Sequence, residues 1–214
     1  MRTPLTVFPV GPSECGKGGE GGVFELTNAD FFDAIFKEIP EGGFAAACSK
    51  QGNPDDGGWP ASRADLLAKR LTPEANNYFG CSSFYPDDNG SFSVRKAQFA
   101  ACHFLMLDDL GTKVPLDRLA GFELSWLIET SPGNHQAGIL LSEPIIDGTV
   151  AVRLLNALIA AGLCDKGSNG PMNRWARLPV GINGKPKYAD EAGAPFQCRL
   201  IEWRPTVRYR GRFY

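Results

Sequence analysis

The run FLMLDDLGTK (104–113) carries the most pointed chemistry in this 214-residue chain. An apolar stretch ends at Leu107 and delivers Asp108 and Asp109, side by side, to the end of a strand. Two adjacent carboxylates repel each other and are costly to desolvate. A hard divalent cation relieves both problems, and oxygen ligands suit magnesium or manganese. The same pair also suits an ordinary turn at a strand exit. Neighbours on a strand point to opposite faces, so both acids can serve one site only where the strand bends or ends.

Two further segments offer polar groups. In IETSPGNHQAGILL (128–141) a strand ends at Thr130, a Pro-Gly turn follows, and the next strand begins near Gln136. The turn exposes Ser131, Asn134, His135 and Gln136 with backbone amides, which can hold a triphosphate or a sugar hydroxyl. It reads equally as a plain hairpin. LCDKG (163–167) places Asp165 just past a helix end, and RWARLPVGINGKPKY (174–188) adds Arg174, Arg177, Lys185 and Lys187. Arginine grips phosphate with a planar fork and lysine acts as a point charge. Taken alone, such a cluster is also what a solvated basic face looks like.

Several mechanisms fail on inventory. The only histidines are His103 and His135, and no G-x-S-x-G elbow accompanies them. Cys102 and His103 are strand neighbours and point apart, which argues against a thiol–imidazole pair. No H-x-H occurs. GPSECGKG (11–18) follows phosphate-loop spacing to Lys17, but Gly18 replaces the hydroxyl residue and GGEGG follows where a helix should begin. None of Cys15, Cys48, Cys81, Cys102, Cys164 and Cys198 forms a C-x-x-C pair, so no structural zinc is expected and the thiols read as reduced.

The elements that must position these groups are legible from pattern. Thr27 or Asn28 caps a helix through ADFFDAIFKEI, with an apolar stripe of Phe31, Phe32, Ile35 and Phe36. Strands are expected at 43–50, 77–85, 125–130, 136–141, 174–182 and 196–203, and the run 98–107 reads as a central strand buried on both faces. A helix is expected from Ser62 through ADLLAKRL. Another, capped by Asp147 or Thr149, runs through VAVRLLNALIAAGLC to a stop at Gly162. Asn183-Gly184 predicts a hairpin turn.

Composition sets the frame. Hydrophobic residues make up 43% and charged residues 21%, as in an ordinary soluble globular domain. No apolar run nears the roughly 18 residues of a membrane helix, and MRTPLTVFPVGPSE lacks a signal-peptide pattern. A cytoplasmic protein without a membrane partner is expected. The net charge of −2 excludes a general DNA-coating protein but not a local phosphate site. It conceals an asymmetry: residues 1–100 hold nine Lys/Arg against thirteen Asp/Glu, and residues 171–214 hold nine against three.

The acidic strand end, the Ser-to-His turn and the later Asp occur in an order that resembles the archaeo-eukaryotic primase superfamily. The nearest likeness is to plasmid RepB-type primases and to phage or mobile-element primase-polymerases. LMLDDLG resembles the first motif, with adjacent acids as in RepB-like members; wider members use acid-x-acid, and here the third position is Leu110. ETSPGNHQAG resembles the second, with Ser131 and His135, and Cys164-Asp165 the third. An R-L-P-x-x-x-N-x-K pattern follows as Arg177, Leu178, Pro179, Asn183 and Lys185, with Val180 where many relatives have Gly. The likeness spans roughly residues 76–190.

The resemblance implies an α/β (α+β) fold: an RRM-like mixed sheet over 101–204 packed against an N-terminal α/β part over 23–100. These would form a single catalytic domain, with a flexible segment at 1–22 and a basic tail at 205–214. It implies template-directed nucleotidyl transfer on single-stranded DNA from NTP or dNTP substrates, with a replicative helicase as a further partner. Asp108, Asp109 and Asp165 would hold two Mg2+ or Mn2+ ions. Ser131, Asn134, His135, Arg174, Arg177 and Lys185 would grip the nucleotide, and Asn183 would fix the hairpin or touch the sugar. A non-catalytic strand- or origin-binding module and a metal-dependent nuclease are the alternatives. The tail RPTVRYRGRFY, basic and aromatic, suits single-strand contact, an edge strand or a linker.

Overall fold

A computed structural model describes residues 26–168 and 170–210; the 11–18 stretch, the rest of the 1–22 segment and the last four residues of the tail lie outside them. Strands β1 (Phe44–Lys50), β2 (Ser62–Arg63), β3 (Asn76–Phe84), β4 (Phe99–Leu110), β5 (Trp126–Ser131), β6 (Asn134–Ile145), β7 (Trp175–Arg177) and β10 (Arg199–Trp203) form one eight-stranded sheet. Its order is β10-β5-β6-β4-β3-β1-β2, with β7 also paired to β3. β8 (Ile182–Asn183) and β9 (Phe196–Gln197) make a separate two-stranded ribbon. All the strand ladders are antiparallel; the parallel pairings are isolated bridges, Leu110–Val114 and Leu141–Tyr209.

β4 lies in the middle of the sheet, and its period of two explains why the run Phe104–Leu107 is continuously apolar. Phe104 and Met106 enter one core with Trp126, Phe79 and the helix α1 (Asn28–Ile35). Leu105 and Leu107 enter the other, under Leu154, Leu155 and Leu158 of α3 (Gly148–Ala160). Both faces are covered; the polar residue within the strand before Asp108, His103, is buried with the Ser83 hydroxyl as its partner.

The helices follow their caps. Thr27 and Asp30 form a capping box at α1, and the Asp147 carboxylate caps α3. α1 stops at Ile35, short of the expected Ile39, because Phe36 leaves helical geometry (φ −98°, ψ 48°) and turns its ring onto His103. Ser62 begins the short strand β2 rather than a helix; α2 (Ala64–Leu67) starts after it and tightens into a 3-10 turn at Ala68–Arg70.

The expected strand over 174–182 divides into β7 and β8, and that over 196–203 into β9 and β10. Asn183-Gly184 is not a two-residue hairpin turn: β8 and β9 are joined by a longer loop containing a 3-10 turn at Pro186–Tyr188. Gly184 serves close approach instead, since a Cβ there would lie 2.1 Å from the Gly52 carbonyl oxygen. Within the tail, Tyr209 is buried, bonds Leu140 and Ser142 through its backbone, and donates its hydroxyl to the Glu123 carbonyl.

Candidate active site

The site begins with a defect in β4. Leu107 pairs with Ala137 and Leu110 with His135, so three steps along β4 match two along β6. The extra residue makes a bulge. Asp109 takes up the bend with φ +55°, unique among the described non-glycine residues in having positive φ. That backbone region costs about 1–3 kcal/mol unless its surroundings enforce it. Here the Asp109 carbonyl accepts from the Lys113 and Val114 amides, closing the turn that follows. Gly111, at φ +87°, lets this turn lie against the β5–β6 hairpin; a Cβ there would meet the Gly133 carbonyl oxygen at 2.4 Å. The bend is what brings Asp108 and Asp109 to the wall of one cavity of about 220 Å³.

That cavity gathers most of the polar residues expected from sequence. Ser131, Asn134, Arg177, Asn183 and Lys185 line it with the two acids, and so do Asp55, Trp59, Tyr78, Gln136 and Tyr188. On β6 the alternation presents Asn134 and Gln136 to the cavity. His135 between them is not among the lining residues, and its Nδ1 lies 3.3 Å from the Leu110 carbonyl oxygen. His135, expected to face a nucleotide, is partly exposed and lies beside the bend. Gln136 stands in the cavity, donating from Nε2 to Asp108 Oδ1 at 3.1 Å and accepting from the Arg177 amide at 2.9 Å. It thereby couples the acidic strand to β7.

Asp165 and Arg174 do not line the cavity but are wired to its acids. Lys113 Nζ lies 2.6 Å from Asp109 Oδ2 and 3.3 Å from Asp165 Oδ2, so one ammonium touches both carboxylates. Arg174 donates from Nη2 to Asp108 Oδ2 at 2.5 Å and from Nη1 to the Gly167 carbonyl at 2.9 Å. The Gly167 amide in turn donates to Asp165 at 3.0 Å. Partial burial would raise the Asp165 carboxyl, but Lys113 and the Gly167 amide outweigh it and hold its pKa below the usual value. Bonds to Asp109 and Asp165 raise that of Lys113.

The acids are therefore knit together through two cations rather than assembled as a bare cluster. Among the described residues, no group of three or more His, Cys, Asp and Glu side chains comes close enough to hold a metal ion. The donor chemistry still fits a hard divalent ion, because all three candidates are carboxylates. The shared ammonium marks a place where Asp109 and Asp165 both engage positive charge.

The basic residues are less free than their sequence suggests. Arg177 is 5% exposed. Its Nη1 donates to the Ile182 carbonyl at 2.8 Å and to Asn76 Oδ1 at 3.4 Å, and its Nη2 donates to Asn183 Oδ1 at 2.8 Å. Its guanidinium stacks over Tyr78, whose hydroxyl burial pushes up to about 12. Asn183 donates to the Thr130 carbonyl at 2.7 Å, tying β8 to the end of β5. Lys185 pairs with Asp55 at 2.9 Å. Asn134 accepts from the Thr112 hydroxyl at 2.5 Å. Burial raises the Tyr188 hydroxyl, but bonding to Ser131 and Lys187 outweighs this and lowers its pKa.

Trp59, Tyr78, Tyr188 and Asp55 carry no local signal for this site, because they reach it through long-range packing. Lys113 had one: it follows Asp109 by four residues across a Gly-containing turn. Five described cysteines, Cys48, Cys81, Cys102, Cys164 and Cys198, are all buried, and burial raises the thiol pKa of Cys48, Cys81, Cys102 and Cys198. Among the described residues no helix is long and apolar enough to cross a membrane.

Comparison with known proteins gives this geometry a context. The family model of the RepB DNA-primase N-terminal domain matches residues 88–210. Among solved structures, the AEP domain of the cyanophage S-2L primase-polymerase (PrimPol) is similar with a TM-score of 0.54 and 14% identity, over 86% of this chain and 89% of that one. Primase RepB′ is similar with a TM-score of 0.53 and 14% identity, over 83% of this chain and 57% of that one. The catalytic domain of RepB′ in complex with initiator DNA gives 0.53 and 14%, over 84% and 87%. These likenesses bear on the fold, which is that of archaeo-eukaryotic primase domains. No curated protein sequence matches the chain.

Proposed function

The chain belongs to the RepB DNA-primase N-terminal-domain family, within the archaeo-eukaryotic primase superfamily, and from that premise we propose that it makes primers on single-stranded DNA by template-directed nucleotidyl transfer. The observation that carries this reading is the β4 bulge, which turns two consecutive carboxylates into one cavity with Lys185, Arg177, Ser131 and Asn134. A bulge costs ladder pairing, and such features concentrate beside active sites. Membership in the family and the solved primase bound to initiator DNA support DNA as the partner.

In this reading Asp108, Asp109 and Asp165 hold Mg2+ or Mn2+, two ions in all. When bound, the ions activate the attacking hydroxyl and offset charge on the transferred phosphate and leaving pyrophosphate. Gln136 fixes the orientation of Asp108 through its amide. Lys113 pairs with Asp109 and Asp165, and Arg174 with Asp108, and so they hold the carboxylates in the orientation in which these would bind metal. Lys185, at the cavity wall, offers a point charge to the triphosphate, and Ser131 and Asn134 offer polar contacts. Arg177 and Asn183 act mainly by holding β7, β8 and the end of β5 together beneath the substrate. No protein nucleophile is required, because positioning and charge neutralisation dominate phosphoryl transfer.

The test is primer synthesis on single-stranded DNA with NTPs or dNTPs and Mg2+ or Mn2+, with products resolved by length. Polymer growth lost in the Asp108→Ala/Asp109→Ala double variant is expected. Growth that survives the double variant overturns the metal assignment. Strand shortening in place of growth makes the protein a nuclease, and strand binding alone makes it a binding module.

A further inference from the structure

The loop between β1 and β2 brings an aromatic residue to the cavity that none of the motif residues explains. Trp59 is 47% exposed, whereas Trp126 is fully buried. An exposed tryptophan on a loop would ordinarily be free to turn, but Trp59 is held on several sides. The Tyr78 ring meets it edge-on with centroids 4.8 Å apart. Trp175 lies nearly parallel, at 6.2 Å and 14°. The Lys50 ammonium lies 4.9 Å from its ring centroid and donates to the Pro54 carbonyl. The loop itself is docked: Asn76 donates to the Gly52 carbonyl at 2.8 Å, and Asp55 pairs with Lys185. Trp59 is thus held in place while the residue as a whole stays 47% exposed.

The position of the ring gives this a chemical meaning. Trp59 and Tyr78 share the cavity with Lys185, Asp108 and Asp109. A flat apolar surface therefore accompanies a cation and two carboxylates in one cavity. Those are the parts a nucleotide presents in reverse: a π-face at one end and metal-bound phosphates at the other. Aromatic–base stacking tolerates every base, because each has a π-face.

We propose that Trp59 is the stacking shelf for the nucleobase of the incoming nucleoside triphosphate, an inference that rests on the nucleotide site proposed above. The shelf gives affinity for the base without choosing among bases, and it is fixed before the nucleotide arrives.

The experiment is calorimetric titration of the full chain with ATP, dATP and inorganic tripolyphosphate, each with Mg2+, for wild type, Trp59→Ala and Trp59→Phe. Trp59→Ala is expected to weaken ATP and dATP about 5- to 100-fold and to leave tripolyphosphate unchanged, with Trp59→Phe restoring most of the loss. Equal weakening of all three ligands, or of none, overturns the shelf. A parallel titration with a single-stranded oligonucleotide separates the sources of the base: loss of oligonucleotide affinity with nucleotide affinity intact assigns the ring to the template strand and overturns the proposal. Wild type that binds neither tripolyphosphate nor nucleotide refutes the nucleotide site itself, a result distinct from any Trp59 effect.

Discussion

Replacing Arg177 separates two roles that its sequence context leaves merged. As a phosphate ligand alone it would be dispensable for folding. The structure makes it a buried clamp: its guanidinium forms short bonds to the Ile182 carbonyl and Asn183, and stacks on Tyr78. Each hydrogen bond from a charged donor contributes about 1.5–3 kcal/mol, and its removal leaves buried acceptors unmatched. Two such bonds place the cost of Arg177→Ala at about 3–6 kcal/mol. For a chain of this size, 1 kcal/mol moves Tm by roughly 2–4 °C, so a drop on the order of 6–24 °C is expected. Arg177→Lys keeps the charge but cannot span both acceptors with one planar fork, and should recover only a minor part of the loss. Thermal unfolding by circular dichroism, with urea midpoints as a second measure, reads both variants. An Arg177→Ala protein that melts within about 2 °C of wild type would refute the clamp.

Other expectations follow from burial and close contact. His103 is buried against Phe36 and bonded to the Ser83 hydroxyl; burial, with Arg208 nearby, pulls its pKa down to about 3. The unfolded chain therefore takes up a proton below about pH 6.5 that the folded chain refuses. Stability is full above that pH and falls by about 1.4 kcal/mol per pH unit on acidification, or about 2 kcal/mol between pH 6.5 and 5. Urea midpoints across this range should show the slope in wild type and a flatter one in His103→Gln; an equal slope in both assigns the effect elsewhere. Gly138→Ala would put a Cβ 2.0 Å from Trp126 Nε1, and the indole is hemmed in by Phe31, Phe79 and Phe104. Overpacking of about 3 kcal/mol or more is expected from equilibrium unfolding, and a neutral result would show that the ring can move.

Much of the framework was legible because it depends on local signals. The apolar run before Asp108 is readable as a central strand, since a strand covered on both faces has no polar alternation to lose. The caps at Thr27 and Asp147 are readable because a side-chain oxygen must meet the first free amides of a helix. The ETSPGNHQ turn is readable because Pro-Gly between two apolar runs has few other conformations. The breaks between β7 and β8, and between β9 and β10, were not. Cys198 bonds Gly181, and Leu178 bonds Asn77, across the fold. Partners distant in sequence decide where those ladders stop.

The acids show the same division within a single motif. Sequence alone determined that Asp108 and Asp109 would stand at a buried strand's end, because desolvation excludes carboxylates from the positions before them. It also supplied the later Asp165 and the basic segment, in an order that resembles that of the primase superfamily. Only the tertiary structure decided that both adjacent acids meet one cavity, because the bend at Asp109 exists through a register slip against β6 and a turn packed on Gly133. It also decided that Gln136 rather than His135 faces that cavity, since one residue of strand register reverses every side chain. It spent Arg177 on holding the scaffold and brought Trp59 in from a loop far off in sequence. Residue types fix what chemistry is available; register and long-range packing fix which atoms meet.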